Sequence, residues 1–221
     1  MPVQDEVEAV AVLLPPPDAA RVIVDLWEAG EAVMPLDPAA PAPELERSLA
    51  AFRPTALVDG DGHHRRPDGI PAAAGVAAIV ATSGTTGEPK GVELTFAGLD
   101  ASGTVVASAV GDPEDGWLCC LPLHLVAGLA VVGRAWITGT SVTVQPGFDP
   151  AAVAAAGRGG AEMAAAAHSP ADVFPGGRPA AFVSLVPTML RRLLDADPAG
   201  AAAFAHILLG GGSIDPALLE R

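Results

Sequence analysis

Apolar residues along this chain fall into short continuous runs separated by segments of helical period, and the alternation persists almost from end to end. Val7 to Leu14 is a β-type run closed by Pro15, Pro16 and Pro17. Asp18 then stands where it would cap AARVIVDLWEAG, a segment of helical apolar spacing that Gly30 stops. Ala32 to Asp37 (AVMPLD) reads as the next strand, followed by a Pro-broken loop and the helical PELERSLAAF, which Pro54 ends. Thr55 to Asp59 (TALVD) is a third strand, and the polar, turn-rich Gly60 to Pro71 is expected to be an exposed connection. Gly75 to Thr82 (GVAAIVAT) predicts a buried strand running straight into a glycine-rich loop, with a helix carrying FAGLDASGTVVASAV expected from Thr95.

The second half repeats the pattern. Trp117 to Leu121 is a strand, Val126 to Trp136 a very apolar helix, and Ser141 to Pro146 (SVTVQP) a strand. Ala151 to Pro179 is Ala-rich with GRGG and PGGRP, and predicts a poorly packed helix with a loose loop or an insertion of no function. AFVSLVP follows as a strand, TMLRRLLDAD as a helix, and His206 to Gly212 as a strand ending in glycines. Ser213 or Asp215 is the expected cap of a helix that opens with Pro216 in the first helical position. Strands alternating with helices of this length predict an α/β fold of βαβ units, with mostly parallel sheets flanked by helices.

Composition narrows the function. The 221 residues are enough for one generous domain or two small ones. A net charge of -14 and a pI near 4.5 argue against a broad nucleic-acid or anionic-lipid surface, so any phosphate must be held locally. Eleven of the twelve basic residues are Arg; Lys90 is the sole lysine, and Tyr is absent. The adjacent Cys119 and Cys120 have no partners for a disulfide framework or metal cluster. On a strand they would alternate, at most one in and one out, as inert core residues. The N-terminus opens with acids rather than a basic signal region. The longest apolar stretch, Leu125 to Gly133, is well short of the ~20 residues that span a bilayer. The expectation is a cytoplasmic protein without a membrane span.

The chemistry concentrates in Thr82 to Gly91, TSGTTGEPKG. Gly84, Gly87 and Gly91 allow the backbone positive φ and a close approach to a ligand, exposing several N–H groups to one anion. Ser83, Thr85 and Thr86 add hydroxyl donors, and Lys90 a point charge suited to phosphate. The Walker pattern does not fit, because Pro89 rather than glycine precedes Lys90 and Gly91 follows it; nor does G-x-G-x-x-G occur here.

These residues resemble the phosphate-binding signature of the adenylate-forming superfamily, which includes acyl-CoA synthetases, peptide-synthetase adenylation domains and luciferases. Leu121 to Gly128 (LPLHLVAG), Ser184 to Leu194 (SLVPTMLRRLL) and Ile207 to Ile214 (ILLGGGSI) resemble later blocks of that superfamily in the same order. Within it, GLAVVGRAWITGT and SLVPTMLRRLLD look closest to the actinobacterial o-succinylbenzoate-CoA ligases of menaquinone biosynthesis. The resemblance implies a two-step reaction. A carboxylate attacks the α-phosphate of MgATP to give acyl-adenylate and pyrophosphate, and the CoA thiol then displaces AMP to form a thioester. Thr82, Ser83, Gly84, Thr85, Thr86, Gly87, Lys90 and Gly91, with Gly210, Gly211 and Gly212, are the implied nucleotide-binding set. Another aryl or fatty acid is the alternative substrate, and a catalytically inert binding or dimerisation module the alternative class.

Three further residues are candidate substrate contacts. His124 either bonds the substrate carboxylate or gates the pocket, or is a buried histidine satisfied by a backbone carbonyl. Leu125 stands where similar enzymes carry a second His or an aromatic. Arg134 interrupts an apolar helix and either pairs with the distal carboxylate that o-succinylbenzoate has, or snorkels to the surface. Thr188, with Pro187, is expected to shape the pocket. Arg191 and Arg192 read as a solvated helix face, and His63 to Arg66 as a polar loop rather than a metal site.

The resemblance divides the chain into an N-terminal βα segment, 1–75, and a phosphate-loop and acyl-pocket portion, 76–221. Similar enzymes continue with a Tyr-Gly-x-Thr-Glu block, a ribose-binding aspartate and a small mobile domain with a catalytic lysine. The expectation is therefore the N-terminal part of a ligase, inactive alone, with no catalytic residue of its own. Its partners would be the acid, ATP and CoA, and a second copy of the chain or a complementing C-terminal fragment.

Overall fold

The computed structural model describes residues 5–83, 89–110, 116–159, 171–172 and 180–220. They form two compact units: Met1–Ala101 with Leu123–Val126, and Ser102–Pro122 with Ala127–Arg221.

In the first unit, β1 (Glu6–Val7) pairs with β6 (Ala72–Ala73) as a short ribbon. The main sheet has six strands in the order β5-β4-β2-β3-β7-β8. Its four inner strands, β2 (Ala9–Val12), β3 (Ala32–Pro35), β4 (Ala56–Asp59) and β7 (Val76–Ser83), are mutually parallel. Strands β5 (Gly62–Arg65) and β8 (Pro89–Thr95) are antiparallel edges. Every residue of β2 and β3 is buried, as expected when helices cover both faces of a parallel sheet. Helix α2 (Ala42–Phe52) lays Leu45, Leu49 and Phe52 against Ala11, Met34 and Leu36. Helix α1 (Pro16–Glu28) packs on β2 and β3 and buries Ile23, Val24 and Trp27, whose indole N–H donates to the Ala77 carbonyl at 2.8 Å.

Three details of this unit differ from expectation. Asp18 lies in the first turn of α1, not at its cap: the prolines start the helix earlier, with Pro15 at the N-cap. The segment 60–71 is not only a connection, since Gly62–Arg65 folds back on β4 as a fully exposed strand. Its turn is set by Gly62 at φ 128° and by Asp59, which accepts from the Asp61 N–H at 2.9 Å. Polar side chains on an edge strand hide it from a hydrophobicity pattern. Likewise the chain beyond the glycine-rich loop runs as strand β8 before helix α3 (Phe96–Val110) begins, which places Lys90 and Gly91 on a strand.

The second unit holds five strands in the order β11-β10-β9-β12-β13. Strands β9 (Gly116–Cys119), β10 (Val142–Val144), β12 (Ala180–Leu185) and β13 (His206–Leu209) are parallel, and β11 (Ala171–Asp172) is an antiparallel edge. The helices are α4 (Val126–Thr138), α5 (Pro150–Gly157), α6 (Pro187–Ala196), α7 (Pro198–Ala201) and α8 (Pro216–Leu219). Cys119 and Cys120 are both buried, not one in and one out, because β9 is the middle strand and the chain beyond it stays in the interior. Burial pushes both thiols up to about 12. In the Ala-rich region, α5 is a well-packed helix: Val153, Ala154 and Gly157 are buried, and α7 approaches so closely that a Cβ on Gly200 would meet Ala154 at 2.4 Å. Asp215, one of the two expected caps, accepts from the Ala217 N–H at 3.1 Å.

Candidate functional site: a phosphate hairpin and a buried guanidinium

The expected phosphate loop joins two paired strands. Thr82 lies opposite Lys90, Ser83 opposite Pro89, and Ala81 opposite Gly91. The Thr82 hydroxyl donates to the Lys90 carbonyl at 3.1 Å, tying the two strands together where the loop begins. Gly84, Thr85, Thr86 and Gly87 lie outside the described residues. Lys90 is exposed and enters no ion pair among the described residues. Gly91 does not take the positive φ expected of it; a Cβ there would stand 3.0 Å from both the Phe52 ring and Ile79 Cγ2, a tight fit that would push those side chains back by a few tenths of an ångström.

Beside this hairpin is an open cleft of about 430 Å³, lined by Asp37, Glu44, Arg47, Thr82, Pro89 and His124 among others. It opens where β3 and β7 end, the carboxyl edge at which parallel α/β sheets bind ligands. His124 is half-buried with Nε2 4.0 Å from Asp37 Oδ2, so its neighbour is a carboxylate rather than a backbone carbonyl. Leu125 is exposed.

In the second unit, Arg134 is buried rather than snorkelled to the surface, at 8% exposure. One guanidinium nitrogen donates to Ser184 Oγ at 3.0 Å, and the group lies 4.8 Å from the Trp117 ring centroid. Trp117 stacks in turn on Phe182, and Phe182 on His206. The Arg134 Nε is buried without a hydrogen-bond partner, and no carboxylate pairs with the group among the described residues. Burial pulls the guanidinium below its ordinary pKa. A void of about 10 Å³, lined by Arg134, Trp117, Phe182 and Thr138 with residues of α3, lies alongside.

The same unit carries Thr188, exposed in the first turn of α6, and the triple glycine after β13. Gly211 has φ 75° and faces Val186, Gly212 lies against Pro187, and the Gly210 N–H donates to the Leu185 carbonyl. Arg191 and Arg192 are both exposed, the latter over the Phe148 ring. Gly128 closes the LPLHLVAG block for a steric reason: a Cβ would stand 2.2 Å from the Pro122 carbonyl oxygen. Among the described residues, no group of three or more His, Cys, Asp or Glu could hold a metal ion, and no helix is long and apolar enough to cross a membrane.

Residues 60–221 match the family described as AMP-binding enzyme. The chain belongs to this family. It is 37% identical over 152 residues to the 2-succinylbenzoate--CoA ligase of Enterococcus faecalis, covering 66% of this chain and 27% of that protein. It is 36% identical over 155 residues to the probable 2-succinylbenzoate--CoA ligase of Mycobacterium tuberculosis H37Rv, covering 66% of this chain and 35% of that protein. The chain thus spans about a quarter to a third of the length of these relatives. Among solved structures, the Bacillus subtilis o-succinylbenzoate CoA synthetase in complex with the acyl-adenylate intermediate aligns with a TM-score of 0.72 at 23% identity, over 98% of this chain and 46% of that one. The Klebsiella oxytoca NpsA N-terminal subdomain aligns with a TM-score of 0.73 at 19% identity, over 97% of this chain and 56% of that one. Both likenesses are of fold, and they agree with the mostly parallel α/β architecture of this chain.

Sequence reasoning missed four participants: Asp37 beside His124, Phe52 over Gly91, and Ser184 and Trp117 around Arg134. The first three pairings join residues more than 35 positions apart, and no local spacing signals them. Trp117 carried a signal, since an aromatic starting a strand of an apolar core is a natural platform for a cation.

Proposed function

We propose that this chain is the nucleotide- and acid-binding part of an ATP-dependent acid–thiol ligase, and that its acid is o-succinylbenzoate. The ligase adenylates the carboxylate with release of pyrophosphate; the CoA thiol then takes the acyl group with release of AMP. The pairing of Thr82 with Lys90 is the observation that carries the reading, because it sets the backbone of the sole lysine opposite the start of the glycine-rich segment. There Lys90 and the Ser83, Thr85 and Thr86 hydroxyls, with the amides of Gly84, Gly87 and Gly91, would neutralise charge on the leaving pyrophosphate. With -14 overall, an anionic substrate is repelled at long range, so this local group must overcome the protein's own field. The donor set is all hydroxyl, amide and ammonium; Mg²⁺ would therefore arrive with ATP on its phosphates.

Arg134 supports the choice of acid. A buried guanidinium without a carboxylate is costly, and a second carboxylate on the substrate would supply the missing anion. His124 would contact the reacting carboxylate, Thr188 the acyl group, and Gly210, Gly211 and Gly212 would let the adenylate approach the backbone. Calorimetry with ATP and with a non-hydrolysable acyl-adenylate mimic tests the reading directly. Binding lost in Lys90→Ala at unchanged melting temperature is the expected result, and no binding of either ligand at millimolar concentration overturns it. A thermal-shift panel of o-succinylbenzoate against aryl and fatty monocarboxylates decides the acid: equal shifts for all would remove the dicarboxylate assignment.

A further inference from the structure

Strand β8 carries Lys90 and Gly91, yet it is an edge strand, held on one side only by β7. A slip of one residue in such a pairing would turn Lys90 to the opposite face of the sheet. Besides β7, helix α2 contacts β8, and Phe52, its last residue, lies against Gly91. Phe52 closes the apolar stripe of Leu45 and Leu49, and its ring stands 3.0 Å from where a Cβ of Gly91 would be. The helix end is itself anchored. Arg53 takes the left-handed conformation (φ 47°, ψ 57°), its side chain donates to the Asp68 carbonyl at 2.6 Å, and its carbonyl accepts from the Ile70 N–H at 2.7 Å.

We infer that Phe52 is a positioning residue for the phosphate hairpin: seated on the bare backbone of Gly91, it fixes the register that sets Lys90 opposite Thr82. The inference rests on the nucleotide reading of the hairpin. A side chain at 91 would push the ring back by a few tenths of an ångström, so ring and glycine work as a pair.

Five forms of the chain test it, the parent and Phe52→Ala, Phe52→Tyr, Leu49→Ala and Lys90→Ala, each measured for ATP affinity by calorimetry and for amide hydrogen exchange over 89–95. Leu49 packs in the same apolar cluster, and the atoms nearest a Gly91 Cβ belong to Phe52 and Ile79 instead, so Leu49→Ala reports a merely structural loss. Phe52→Ala is expected to weaken ATP binding about ten-fold or more and to speed exchange in β8. Phe52→Tyr and Leu49→Ala are expected to stay within about two-fold of the parent in affinity, with β8 still protected. Equal losses in Phe52→Ala and Leu49→Ala, or unchanged β8 protection in Phe52→Ala, would overturn the inference. Weakened binding in Lys90→Ala with normal binding in Phe52→Ala overturns it alone, leaving the nucleotide reading intact. Unchanged binding in Lys90→Ala overturns both.

Discussion

Replacing Arg134 by Met separates a charge kept for a ligand from one kept for the fold. The substitution removes the hydrogen bond to Ser184 Oγ, worth about 1.5–3 kcal/mol for a charged donor, and the contact with the Trp117 face, worth about 2 kcal/mol when desolvated. Against that, it removes a buried cation without a carboxylate, whose desolvation costs several kcal/mol, and an unpartnered Nε, worth about 1–3 kcal/mol. The terms nearly cancel, and Met is long and flexible enough to refill the space beside α3. Arg134→Met is therefore expected to lie within about 1 kcal/mol of the parent, a melting shift no larger than ~2–4 °C. Arg134→Met/Ser184→Ala should be more stable still, because no hydroxyl is left unpaired. Urea denaturation followed by circular dichroism gives the numbers, and calorimetry with o-succinylbenzoate gives the functional arm, where affinity should fall at least ten-fold. A stability loss of about 3–5 kcal/mol would refute the reasoning, since the lost hydrogen bond and ring contact would then go uncompensated by relief of the desolvation cost.

Other expectations follow from single contacts. Cys119 and Cys120 hold their thiols neutral up to about 12, against about 9 when unfolded, so the stability they contribute is complete below pH 9 and is lost as pH climbs through 12. With no tyrosine and one lysine, few other groups titrate in that window. A Cys119→Ala/Cys120→Ala chain should show a flatter alkaline denaturation curve, and neither thiol of the native parent should react with a thiol reagent at pH 8. Gly128→Ala forces a Cβ onto the Pro122 carbonyl oxygen and should cost more than about 3 kcal/mol, read as loss of soluble, cooperatively melting protein. Asp197, hydrogen-bonded by Arg158 and by the Gly200 N–H, is held below the usual carboxylate range. Its contribution is present above that range and fades as pH falls through its lowered pKa, so Asp197→Asn should reduce the acid-side slope of the stability profile.

The order of strands and helices was legible because buried parallel strands are continuous apolar runs and Pro and Gly punctuate them. Within the expected runs, Ala9–Val12, Ala32–Pro35 and Val76–Ser83 are strands of one sheet, while Val7 pairs in the short ribbon with β6. Edge strands were not legible. Gly62–Arg65 and Pro89–Thr95 are held by backbone pairing and carry mostly exposed residues, so hydrophobic period says nothing of them. At the candidate site, glycines, hydroxyls and Lys90 declare themselves in ten consecutive positions, whereas the partners that orient them come from elsewhere in the chain. Gly91 illustrates the difference: its presence is visible in TSGTTGEPKG, but its tight fit against the ring of Phe52, 39 positions earlier, is not.

The tryptophans have a practical consequence. Trp27 belongs to the first compact unit, bonded to Ala77, while Trp117 and Trp136 belong to the second. Tyrosine is absent, so ultraviolet emission comes from three indoles only. Substituting Trp136 leaves one fluorophore per unit, and Trp117 lies against both the Arg134 guanidinium and the Phe182 ring, so displacement of the guanidinium would change its surroundings. Substituting Trp27 as well would leave Trp117 as the single indole, and its intensity would then report from one known address without any attached dye.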